Sequence, residues 1–142
     1  MYTDIETLYR TTIARNPACR MAHVNLGNIL YKADRIPEAM ELFKQASESK
    51  PAVADYSLGN ALIQKGRTSE AIDQYKQALR LDPNSADAHN NLGTALGRMG
   101  RISEAIEQLK AALRINPYYI DARNNLTKLE GSQKTAPAKI DP

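Results

Sequence analysis

Met21, Asn25, Asn28 and Lys32 are spaced so that, on a helix, they share one stripe. The same stripe returns as Val53, Ser57, Asn60 and Gln64, then as Asp87, Asn91, Thr94 and Arg98, and last as Asp121, Asn125 and Lys128. Asparagine costs a helix about 0.7 kcal/mol relative to alanine, so its repeated use inside helical segments needs a reason. A primary amide donates and accepts at once, which suits it to gripping the peptide units of an extended chain whatever that chain's side chains are. Tyr31 and Tyr56 add rings on which a ligand could stack. A plainer reading stands beside this one. Asparagine can be the polar filler of a solvated face, bonded to its own backbone or to a neighbouring helix, and Asp87 and Asp121 fit the first turn of a helix, where the dipole favours negative charge.

Chemistry of other kinds finds no support. There is no His-Glu-x-x-His, no Cys-x-x-Cys and no Gly-x-x-x-x-Gly-Lys pattern. His23 and His89 are equivalent positions of a repeated pattern, which argues against a shared metal or acid–base role. Asn125-Leu126-Thr127 matches a glycosylation acceptor but falls within a predicted helix. The expectation is a protein that is not an enzyme, with no catalytic residues, no metal and no cofactor.

The elements that must position the stripes follow from an internal repeat. Pro17, Pro51, Pro83 and Pro117 are separated by 34, 32 and 34 residues. Between them recur Asn25-Leu26-Gly27, Ser57-Leu58-Gly59 and Asn91-Leu92-Gly93, then Glu38-Ala39, Glu70-Ala71 and Glu104-Ala105. Phe43 and Ala46, Tyr75 and Ala78, and Leu109 and Ala112 complete each unit. A period of this length with small residues at fixed offsets predicts a helical solenoid. Leu26, Gly27 and Leu30 and their equivalents lie on one face of a first helix, A. Glycine there costs about 1 kcal/mol of helix propensity, which close approach of a second helix, B, would justify, with Ala39, Ala71 and Ala105 as the matching small surface. Gly66 and Gly100 sit where the chain turns between the helices, and Asp34 replaces them in the first unit.

These residues resemble the tetratricopeptide repeat family, whose pattern of a large residue, Leu-Gly, a large residue, Ala, an aromatic and Pro is met in three full units. The resemblance implies an all-α fold, a right-handed superhelical α-solenoid of antiparallel helix pairs with about eight helices. Its expected divisions are an orphan helix B over residues 1–17, repeats over 20–51, 52–83 and 86–117, a capping helix A over 118–130 and a disordered tail over 131–142. In this family helix A lines the concave groove, and Asn90 to Gly93 resembles arrays of the O-GlcNAc transferase type, where groove asparagines hold peptide backbone. Asn25, Asn91 and Asn125 match that ladder and Ser57 interrupts it. The carboxylate clamp of co-chaperone members is not matched: its aligned positions are Val24, Asn28, Ser57, Asp87 and Asn91, of which Asn28 alone fits. The candidate peptide-binding groove therefore comprises Asn25, Asn28, Lys32, Tyr56, Asn60, Asn91, Thr94, Arg98, Asn125 and Lys128.

The expected function is a protein–protein interaction scaffold that accepts an extended peptide or partner helix in the concave groove. The alternative starts from the incomplete terminal repeats: the orphan helix B of one molecule could dock on the lone helix A of another, giving homo-oligomers joined head to tail. A third reading, a segment regulating an enzyme, rests on the likeness of the Leu-Tyr-Arg, Asn-Pro and Ala-His-x-Asn-Leu-Gly run to soluble arrays attached to membrane glycosyltransferase-like proteins. The net charge of +3 comes from 19 basic and 16 acidic residues interleaved along the chain, so nucleic acid is not an expected partner. No apolar run approaches the roughly 18 residues of a membrane span, and no membrane contact is expected from this segment. Cys19 is the lone cysteine and the N-terminus lacks the apolar region of a signal peptide. These features leave the compartment undetermined: cytoplasmic by default, extracytoplasmic if the chain is a fragment of a membrane-anchored protein.

Overall fold

The computed structural model describes residues 2–47 and 52–135, which form eight helices and no strand. They belong to two compact units, Met1–Pro83 and Asn84–Pro142. In the first unit α1 (Tyr2–Arg15), α2 (Arg20–Lys32), α3 (Ile36–Ser47), α4 (Ala52–Gln64) and α5 (Thr68–Leu81) each pack on the next, and α2 also touches α4. In the second, α6 (Ala86–Arg98) packs on α7 (Ile102–Ile115), α7 packs on α8 (Ile120–Thr135), and α6 touches α8. The A helices are thus α2, α4, α6 and α8, and the B helices α1, α3, α5 and α7.

The turn within each pair is a Schellman closure. Asp34 (φ 60°), Gly66 (φ 72°) and Gly100 (φ 77°) take the left-handed conformation after the A helix. The next residue, Arg35, Arg67 or Arg101, donates its N–H back to the carbonyl of Leu30 (2.8 Å), Leu62 (2.9 Å) or Leu96 (3.0 Å). Each of these arginines then starts the B helix and pairs with the glutamate three residues on, Glu38, Glu70 or Glu104. The recurring Arg-x-x-Glu is therefore a guanidinium clip across the first B turn. Arg35 also reaches Glu6 on α1 (3.0 Å), so Glu6, Arg10, Arg35 and Glu38 form one network joining α1 to the first repeat.

Close packing explains the recurring glycine. A Cβ at Gly27 would lie 2.5 Å from Phe43 Cε1, one at Gly59 2.5 Å from Tyr75 Cε1, and one at Gly93 2.8 Å from Leu109 Cγ. The large side chain of helix B, and not Ala39 or Ala71, fills the space that the first two glycines leave. Phe43 and Tyr75 are each 1% exposed and Leu109 is fully buried, so the contact has no room to relax into solvent. Asn16 and Asn116 shape the loops before α2 and α8: their Oδ1 atoms accept from the N–H of Ala18 (3.2 Å) and Tyr118 (3.1 Å).

Helix α8 continues through Gly131 to Thr135, past the expected end of the capping helix at 130 and into the tail expected from 131. No proline intervenes before Pro137, and a single glycine costs a helix only about 1 kcal/mol. Residues 136–142 of the expected tail lie outside the described residues. Among the described residues no helix is long and apolar enough to cross a membrane.

Candidate functional site

Each unit carries its own A-helix face. In the first, Asn25 on α2 is half-buried and donates through Nδ2 to the Tyr9 hydroxyl on α1 (3.3 Å). Asn60 on α4 is half-buried too, and its Oδ1 accepts from the Tyr75 hydroxyl of α5 at 2.6 Å. Tyr56, half-buried on α4, lies with its ring tilted 49° to that of Tyr75 at a centroid distance of 6.1 Å. Tyr31 and Gln64 join the C-terminal ends of α2 and α4, the amide donating to the hydroxyl at 3.1 Å. These side chains brace helices against one another. Asn28 and Lys32, both exposed on α2, make no such bond among the described residues.

The second unit repeats this division. Asn90, only 7% exposed, donates to Asn91 Oδ1 (3.2 Å) and accepts from Asn125 Nδ2 on α8 (3.1 Å). Asn125 also donates to the Thr94 hydroxyl (3.2 Å), which in turn donates to the Asn90 carbonyl (3.0 Å). Asp87 Oδ1 accepts from the Tyr119 hydroxyl at 2.5 Å. The amides and hydroxyls of α6 and α8 thus hold the two helices together. Asn90 is the centre of this network, and the stripe spacing did not single it out. The doublets Asn90-Asn91 and Asn124-Asn125 were its only trace in the sequence.

Beyond the network α6 and α8 enclose a cleft of about 240 Å³ lined by Thr94, Gly97, Arg98, Asn125, Lys128 and Leu129. Gly97 keeps it open at the base, since a Cβ there would meet Leu129 Cδ2 at 3.3 Å. Four of the ten residues expected in the groove, Thr94, Arg98, Asn125 and Lys128, meet in this one place. The first unit has a larger cleft, about 650 Å³, where Pro37 and Met40 of α3, Leu58 and Leu62 of α4 and Gln74 of α5 converge. Nothing in the asparagine spacing pointed there.

Comparison with known proteins agrees with the helix pairing. Tetratricopeptide repeat family models match residues 6–54 and 86–119, and a TPR repeat model matches residues 59–100. The chain belongs to the tetratricopeptide repeat family. No curated protein matches it significantly by sequence. Among solved structures this TPR chain is similar to MamA, at 24% identity over 91% of this chain and 77% of that one, with a TM-score of 0.84. It is similar to YrrB, described as a TPR protein with an unusual peptide-binding site, at 21% identity over 93% and 69%, TM-score 0.77. It is also similar to the first TPR of Spaghetti (RPAP3) bound to an HSP90 peptide, at 18% identity over 82% and 94%, TM-score 0.79. At these identities the likeness is one of fold, the all-α solenoid class.

Proposed function

We propose that this TPR chain is a protein-interaction scaffold that holds an extended peptide or a partner helix along its A-helix faces. One observation carries the reading. Most amides of the expected groove are spent on bracing helices, whereas Asn28 and Lys32 in the first unit and Arg98 and Lys128 in the second stay exposed, with no partner among the described residues. The peptide-binding descriptions of YrrB and RPAP3 support the class of ligand. Selection of binders from a random peptide library, followed by alanine at Asn28, Lys32, Arg98 and Lys128, tests it. Selected peptides should lose affinity while helicity is kept. Unchanged binding in all four variants would remove the A-helix face from consideration.

Completion of the broken repeats between molecules is the rival reading, and Ile5 (47% exposed) and Leu8 (61% exposed) on α1 give it a surface. Helix α8 is a poor acceptor for that surface. Thr127 stands where Gly27, Gly59 and Gly93 stand, and Glu130 where Leu30, Leu62 and Leu96 stand. A helix B seated there in the repeat's register would meet a Cβ and a carboxylate instead of an open apolar face.

A further inference from the structure

The cleft between α6 and α8 has walls of two kinds. Gly97 and Leu129 give it an apolar base, and Thr94 and Asn125 have already spent their donor hydrogens on Asn90 and on each other. What remains to donate is Arg98 and Lys128, two cations lining a single small cleft. Neither is in an ion pair among the described residues. Like charges beside one cleft repel each other, and an anion between them would relieve that cost.

Ordinary reasons for a surface cation account for Arg98 alone. Arg98 ends α6, where the helix dipole favours positive charge. Lys128 lies in the middle of α8, and the positions three and four residues away hold Asn124, Asn125, Gly131 and Ser132, none of them acidic. The nearby Glu130 turns instead to Lys110 (3.9 Å). Asp121 lies on the same stripe seven residues back, about 10 Å along the helix. Asp87 is held by Tyr119.

We infer that this cleft is a subsite for an acidic side chain, a glutamate or aspartate within an extended peptide, whose carboxylate sits between Arg98 and Lys128. The inference rests on the scaffold reading and names the residue class that the second unit would select. Arg98 supplies a planar fork that matches two carboxylate oxygens, Lys128 a movable point charge, and Leu129 a surface for the ligand's methylenes. Four of the five positions that would make a clamp for a terminal carboxylate hold other residues here, which favours an internal side chain over a chain end.

The test uses the whole chain, labelled with ¹⁵N, and N-acetyl-glutamic acid α-amide, a probe whose only charge is the side-chain carboxylate. Saturable shifts should centre on the amides of Thr94, Gly97, Asn125 and Leu129, and the neutral glutamine analogue should give none. Arg98→Gln and Lys128→Gln, both at exposed positions, should each weaken the probe by at least about tenfold, the scale of one charge-assisted hydrogen bond. Equal shifts with the two analogues, or no shift at these amides, would overturn the inference. So would a response to N-acetyl-phosphoserine amide alone, which would make the site one for phosphate. A silent cleft in a chain that still captures library peptides sinks this subsite only, whereas a chain that captures no peptide sinks the scaffold reading.

Discussion

Asn125 of α8 donates both hydrogens of its side-chain amide to α6, one to Asn90 Oδ1 at 3.1 Å and the other to the Thr94 hydroxyl at 3.2 Å. A residue placed by its spacing on a ligand-gripping ladder thus fastens the last helix to the third repeat. Asn125→Ala removes both bonds and strands a buried acceptor on Asn90, for which we expect a loss of about 1–3 kcal/mol. Urea denaturation of the variant measures it. An unchanged midpoint would mean that the amide bonds contribute nothing net.

The glycines make a second, two-sided prediction. Gly27→Ala gains helix propensity yet forces a Cβ to 2.5 Å from the Phe43 ring, so it should destabilise by about 1–3 kcal/mol. Gly131→Ala on α8 meets nothing within 4 Å and should stabilise by roughly 0.5–1 kcal/mol. Thermal melts of the two variants should move in opposite directions.

The ion network at the N-terminal end gives a pH dependence. Arg10 first, and then Arg35, hold the Glu6 carboxyl below its ordinary value of 4.5 against the opposing effect of desolvation. Arg35 chiefly does the same for Glu38. A carboxyl lowered in the folded state binds fewer protons there than in the unfolded chain, so its contribution is present above pH 4.5 and is lost as the pH falls through the lowered value. Glu38 is open to solvent and Glu6 is only partly covered, so the effect is small and screened by salt. Melting temperature followed from neutral pH downward should fall less steeply below pH 4.5 in Glu6→Gln than in the parent chain. Parallel curves would show that the network carries no linkage.

Thr127 and Glu130 lead to a prediction about assembly. Tyr9 stands in α1 where Phe43, Tyr75 and Leu109 stand in the later B helices, and each of those presses on a glycine. Since α8 offers Thr127 in place of that glycine, light scattering across a concentration series should return a constant 15.7 kDa. A mass that climbs with concentration would restore repeat completion between molecules.

Much of the fold was legible because its determinants are local and recur. Helix A ends where Asp34, Gly66 or Gly100 can take a positive φ, and the Leu-Gly pair of each A helix with the aromatic or leucine of helix B specifies one contact several times over. The end of α8 was harder to read, because Gly131 interrupts the pattern without stopping the helix.

The sequence by itself determined the repeat, the pairing of helices and the stripe that holds the candidate residues, since all three follow from the spacing of small and large side chains along a helix. Tertiary structure alone decided how those polar residues are used. Asn25 meets Tyr9 16 residues away, Asn60 meets Tyr75 15 residues away, and Asn125 meets Asn90 35 residues away. A hydrogen bond depends on tenths of an ångström between helices, and a sequence period fixes which helices are neighbours but not that distance. The period therefore gives bracing Asn125 and the uncommitted Lys128 the same address, and only the packing of α8 on α6 tells them apart.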